Sequence, residues 1–346
     1  MGIHHCAREE PEKHGHRNPQ NELSHSIQRQ ICPANEEENR SSKRQPIKID
    51  TCRPRLWTSP PLPPMPRSPT TDDVRDAGLD KFYTVPAIAE KCLATLGQRY
   101  SWASWDLVVE PSAGNGSFFT RIPTAKKIGL DIAPEHAAIV KGDFFEYTPP
   151  SHPRILVVGN PPFGRVSSLA VKFFNHAATW ASVIAFIIPK TFRRVSVQNR
   201  LHANFHLLHD EEIPSDPCSF TPPMNVKCCF QIWEKWVDVR EHVTLRTTHA
   251  DWEFLPYGPL DAKGQPTPPE GADFAVLAYG GKCGSVINTH LETLRPKSWH
   301  WIKAKIDVDL LSERFSSLDY SISKDTARQN SIGRGELVKL YMEAFE

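Results

Sequence analysis

Residues 105–119 read WDLVVEPSAGNGSFF. The run from Trp105 to Glu110 has the composition of a strand, and Gly114 and Gly116 behind it let the backbone turn tightly and approach a ligand closely. A strand running into a glycine turn is how a nucleotide-binding half of an open α/β sheet begins. The third glycine of a dinucleotide fingerprint is missing, because Phe118 and Phe119 follow Ser117, and no GK[ST] ending follows. Both departures argue against NAD and against a phosphate cradle.

Outward from this stretch, short apolar runs alternate with helical ones. Candidate strands are KKIGLDI (126–132), RILVVGN (154–160), SVIAFIIP (182–189), FHLLHDEEI (205–213) and VKCCFQIWEKW (226–236). Two of these are near-continuously apolar, as the middle strands of a sheet covered on both faces are. Lys227 and Glu234 give the last an edge or antiparallel position. PAIAEKCLATL (86–96) and SLAVKFFNHAATWA (168–181) carry apolar residues at helical spacing. The pattern predicts an α/β fold, a Rossmann-like sheet with helices on both faces, over residues 79–238. Residues 239–346 predict a small C-terminal α+β substrate-recognition segment, with strands FAVLAYGG and SWHWIKAKI and a closing helix ELVKLYMEAF. Residues 1–78, rich in Pro, Ser, Asn, Glu, Arg and His, read as a disordered N-terminus. Within them SPPLPPMPRSP (59–69) favours polyproline II, as a stiff linker or a ligand for an SH3-like or WW-like partner.

A formal net charge of +1 over 346 residues leaves any basic surface local. The eight cysteines form no CxxC pair and no zinc knuckle, so no metal site is expected and free thiols are. The sequence has neither a signal-peptide core nor an apolar run near the ~20 residues of a membrane span. An intracellular protein of nucleus or cytoplasm is expected.

Two sites stand out. At successive strand ends lie the Gly114–Gly116 turn, Asp131 and GDFF (142–145). Asp131 is placed to accept the hydroxyls of a ribose, Asp143 an adenine amino group, and Phe144 is placed to stack on the base. That trio suits an adenosyl ligand without pyrophosphate, S-adenosylmethionine. The second site is NPPF (160–163), where a buried strand ends on an amide, two prolines and an aromatic ring. The Asn160 side-chain oxygen and the Pro161 carbonyl can accept the two hydrogens of an exocyclic amine. Pro162 helps freeze the turn, and Phe163 can stack on the base. A flipped or unpaired base would need cations at the rim, for which Arg165, Lys190, Arg193 and Arg194 are candidates. In SWHWIKAKI one strand face would carry Trp299, Trp301, Lys303 and Lys305, a combination that stacks bases and tracks phosphates. Packing of those tryptophans against the catalytic domain is the alternative.

DKFYTVP (80–86), EPSAGNG (110–116), Asp131, GDFF, NPPF and FIIPKTF (186–192) together resemble the N6-adenine methyltransferases of gamma arrangement. The resemblance covers roughly residues 80–236. It implies a class I methyltransferase fold, S-adenosylmethionine as cofactor and adenine in nucleic acid as substrate, with DNA favoured over RNA. It also implies that Phe82, Tyr83 and Thr84 contact the methionine end of the cofactor and that Glu110 lies beside it. The C-terminal segment is smaller than the recognition domains of restriction-type members, and the long leader is foreign to the family. Glutamine-N5 methylation of protein, by enzymes with a similar NPPY turn, and a catalytically inactive nucleic-acid-binding module are the competing readings.

Overall fold

The computed structural model describes residues 81–346. The leader and the proline-rich stretch at 59–69 lie outside the described residues.

Tyr83–Thr84 (β1) leads into the helix Pro86–Arg99 (α1). Pro86 sits in the first turn, where its missing N–H is no loss, and Ala89, Cys92, Leu93 and Leu96 form the buried stripe. Leu107–Pro111 (β2), Lys127–Asp131 (β3), Val140–Lys141 (β4) and Ile155–Gly159 (β5) follow. Helix Ser168–Ala178 (α2), strand Val183–Pro189 (β6) and the short helix Val195–Gln198 (α3) come next. Phe205–Ile213 (β7), Phe220–Thr221 (β8) and Cys228–Lys235 (β9) complete this part.

The seven-stranded sheet has the order β4-β3-β2-β5-β6-β9-β7. β9 runs antiparallel to both of its neighbours and the other pairs, β4 to β6, are parallel. This is the expected Rossmann-like sheet. Alternation along each strand divides the core in two. Val109, Val157, Ile184, Phe186 and Ile188 pack on Phe173, Phe174 and Ala177 of α2. Val108, Leu156, Val158, Ala185 and Ile187 pack on Cys92, Leu93 and Leu96 of α1. β5 and β6 are buried at every residue, as their continuous apolar runs predict. β9 is antiparallel as expected but lies inside the sheet, with β7 as the edge. Lys227 falls just before it, and its polar Gln231 is satisfied between Asp210 and Trp233.

Because β3 lies on one side of β2 and β5 on the other, the carboxyl ends of β2 and β5 flank the switch point where such sheets bind ligands. A two-stranded pairing of β1 with β8 lays residues 83–84 across that end.

Trp252–Phe254 (β10), Phe274–Leu277 (β11), Val286–Ile287 (β12) and Trp299–Ala304 (β13) form a second, antiparallel sheet in the order β10-β13-β11-β12. Val308–Ser317 (α4) and Arg334–Phe345 (α5) cover it through Leu311, Phe315, Leu337, Val338 and Tyr341. Helix α4, with Asp307 as its N-cap, went unread in the sequence. Among the described residues no helix is long and apolar enough to cross a membrane.

Candidate functional site

Two cavities meet at the NPPF turn. The smaller, ≈ 90 Å³, is lined by Lys81, Phe82, Tyr83, Ser112 and Gly114 of the glycine turn, Asp131–Ala133, Asn160 and Pro162. The larger, ≈ 1110 Å³, reaches from Asn160–Ser167 across to the C-terminal segment. Phe82, Asn160 and Pro162 form their shared wall.

The Asn160 carboxamide is fixed by one bond: Nδ2 donates to the Phe82 carbonyl at 3.1 Å. That bond leaves Oδ1 buried with no donor, an acceptor held in a set direction. An unpaired buried acceptor costs about 1–3 kcal/mol, so the fold retains it against its own stability. Among the described residues the Pro161 carbonyl also receives no hydrogen bond, whereas the Phe163 carbonyl accepts from Leu169 and Ala170 at the start of α2. Phe163 packs against both halves of the core, which holds its ring at the wall of the larger cavity. The turn thus carries two free acceptors and one ring on a rigid base.

In the smaller cleft the glycine turn is strictly required. Gly114 has φ +50°, and a Cβ there would lie 2.6 Å from the Tyr83 ring. Its N–H donates to Asp131 Oδ2 at 2.8 Å, while Oδ1 accepts from Ala133 at 2.8 Å. Each carboxylate oxygen keeps a lone pair for a hydroxyl. Gly116, at φ +84°, continues the turn without lining the cleft. Tyr83 Oη donates to Glu135, and Lys81 Nζ reaches the same carboxylate at 3.1 Å. Burial pushes Glu135 up, but these two donors outweigh it and hold the carboxyl below its ordinary range. The clasp keeps Tyr83 over Gly114, and the cleft is accordingly small beside ligand pockets of roughly 300–1,000 Å³. The free lone pairs of the Asp131 carboxylate suit the hydroxyls of a ribose. Ile132, 52% exposed at the lip of the cleft, is the apolar surface a base could lie on. The sequence reading missed it because it follows the more conspicuous acid.

Glu110 and Thr84 are buried and line neither cavity, and each has a side-chain oxygen without a partner. Burial drives the Glu110 carboxyl well above its ordinary range.

Several expectations are corrected. Phe144 does not face the cleft: it is a core residue, its ring stacked on Phe173 at 5.1 Å. Asp143 accepts from the Phe145 N–H and lines neither cavity, because it caps a single helical turn. Arg193 is not a free rim cation, since its guanidinium is held by Asp210, Glu212 and Asp325, and the Asp210 hydrogen bonds raise its pKa. Lys190 pairs with Glu212 in the same network. Arg194 does line the larger cavity, yet it is spent on Asp325 O at 2.8 Å, Ser331 O and Glu336 at 3.4 Å. The Trp–Lys face of β13 is not an open one either. Trp301 is buried with its indole N–H on Pro296 O, and Lys303 and Lys305 pair with Asp273 and Glu253. Trp299 shares that strand face, and none of the four lines a cavity. Only Arg165 among the predicted cations is both exposed and at the cavity.

No family model matches the chain, and no curated protein matches it in sequence. Solved structures that resemble it include several named as methyltransferases. The 23S rRNA methyltransferase ErmE is 18% identical at TM-score 0.33, over 46% of this chain and 71% of its own. A dimethyladenosine transferase from Plasmodium falciparum is 16% identical at TM-score 0.32, over 44% of this chain and 63% of its own. Magnesium protoporphyrin IX methyltransferase from Synechocystis, with bound S-adenosylmethionine, is 11% identical at TM-score 0.33, over 44% of this chain and 79% of its own. These neighbours are named for unlike substrates, so the substrate must be read from this chain's own residues.

Proposed function

We propose that the chain is an S-adenosylmethionine-dependent methyltransferase that modifies the N6 amino group of adenine in nucleic acid. The observation that carries this reading is the Asn160 carboxamide, whose Nδ2 is anchored on Phe82 and whose Oδ1 is buried and unmatched between two cavities. An exocyclic amine entering from the larger cavity gives that oxygen a donor, and the neighbouring Pro161 carbonyl offers a second acceptor. Two acceptors on one amine draw its nitrogen toward tetrahedral geometry and stabilise the positive charge that develops there. Phe163 holds the base in line, and positioning of this kind carries much of the rate. When bound, the cofactor supplies an electrophilic methyl group. Asp131 would hold its ribose and the Gly114 turn its backbone approach, with Phe82 and Tyr83 along the methionine end. The Lys81–Tyr83 segment has to lift to admit it.

A glutamine amide in a protein could satisfy the same acceptors. The larger cavity, however, is lined by the unpaired Arg165 and Arg328 and by no aspartate or glutamate among the described residues, which favours a polyanion. DNA is the substrate the motif order favours, and RNA the next. The test is nucleoside mass spectrometry after incubation with cofactor and DNA, RNA or a Gly-Gly-Gln peptide. N6-methyladenine from a nucleic acid is expected; methylglutamine alone would contradict it.

A further inference from the structure

We infer that the wall opposite the NPPF turn is a second nucleotide subsite, built by Tyr279 and Arg328, that takes the neighbour of the target adenine. This rests on the adenine reading above and adds to it a place for the rest of the strand.

The cavity itself asks for a second occupant. At ≈ 1110 Å³ it exceeds the roughly 300–1,000 Å³ that suit a drug-sized ligand, and a single purine is smaller than that. Its far wall is made by the turn after β11 and the loop 326–331. Tyr279 is 52% exposed there, a large ring with no aromatic neighbour among the described residues, and rings so placed are what bases stack on. It is not loosely held. Tyr279 bridges Ser331, Gly280 N–H donates to Asn330 O at 2.9 Å, and Ile332 N–H to Ala278 O at 2.9 Å. The loop is in turn moored to the catalytic sheet by Lys227, through its N–H to Ala327 O at 2.8 Å and Nζ to Asn330 Oδ1 at 2.7 Å.

The charges sort the same way. Arg193, Arg194, Lys190, Lys303 and Lys305 are committed to carboxylates. Arg165 and Arg328, one on each wall, are exposed, and among the described residues neither guanidinium has an ion-pair or hydrogen-bond partner. Two unpaired guanidiniums facing one cavity without acids fit phosphodiesters on either side of a bound base. The occupant is therefore a strand of at least two nucleotides, with the target base at Asn160 and its neighbour on Tyr279.

The test compares kcat/KM on adenosine 5′-monophosphate with that on single-adenine octamers of deoxyribose and of ribose. The parent should favour the better octamer over the mononucleotide. Tyr279→Ala should cut that ratio about tenfold, the scale of one lost base stack, and Tyr279→Phe should restore it. Arg328→Ala should lower the salt slope of octamer binding by about one. Lys305→Glu, outside the cavity, should keep the ratio. Equal parent activity on mononucleotide and octamer, or an undiminished ratio in Tyr279→Ala, would overturn the subsite and leave adenine methylation standing. No methylation of any adenine by the parent would overturn both.

Discussion

Gly114 shows how little freedom a single position in this site retains. Its φ of +50° strains any L side chain, and a Cβ would strike the Tyr83 ring at 2.6 Å. Gly114→Ala should cost about 1–3 kcal/mol of stability and weaken cofactor binding, since the ring can yield only by leaving the cleft. Thermal melts and cofactor calorimetry read the two effects; an unshifted melt and affinity would mean that the ring does not rest on the turn. Glu110 makes a prediction of a different kind. Burial raises its carboxyl pKa, so in the folded state it holds a proton that the unfolded chain gives up. Its contribution to stability is whole below the unfolded carboxylate pKa and is lost as pH rises through the raised folded value. Glu110→Gln cannot ionise, so its melting temperature should fall less than the parent's between mildly acidic and neutral-to-alkaline pH. Parallel curves would show that Glu110 is already charged in the fold.

At the scale of elements, the clasp of Lys81 and Tyr83 on Glu135 closes over the smaller cleft, and on the proposed reading it gates the cofactor. Two hydrogen bonds to a partly exposed carboxylate are worth on the order of 1 kcal/mol together. Glu135→Ala should therefore speed cofactor association and dissociation about fivefold, with a smaller change in Kd, as read by stopped-flow binding. Because the Glu135 carboxyl lies below its ordinary range, the clasp holds at neutral pH and is lost as pH falls through that lowered value. The parent's rates should then approach the variant's in acid; rates equal at every pH would remove the gate. Elements were also the scale most legible in the sequence. Short apolar runs marked β2, β3, β5, β6, β7 and β9, and helical spacing marked α1 and α2, because burial on a face leaves a pattern behind; the two exposed residues of β4 leave none and were missed. What covers a face leaves none. The parity of Trp299, Trp301, Lys303 and Lys305 was right, but the turn at Pro296 and the partners Asp273 and Glu253 come from distant sequence. Phe144 and Tyr279 make the same point in opposite directions: a core ring stood in a motif, and an exposed ring stood in an unremarked turn. That Asn160 and Asp131 would lie at a cavity was legible, because a strand end at a switch point fixes where its last residue lies.

For the molecule as a whole, the far wall of the larger cavity is there only while the C-terminal segment stays against the seven-stranded sheet. Arg194 is central to that, joining the turn after β6 to Asp325, Ser331 and Glu336. With both Arg194 and Glu336 largely buried, Arg194→Ala should cost about 3 kcal/mol and open the C-terminal segment to proteolysis. A parent-like digestion pattern would mean that the segment is held by other contacts. The central claim, that an anchored amide activates an adenine amine, is tested most directly at Asn160. In single-turnover methylation of an adenine oligonucleotide, Asn160→Ala should be slower by about 10²–10³, while calorimetry shows cofactor affinity within a few-fold of the parent. Methyl transfer by Asn160→Ala at the parent's rate would contradict it.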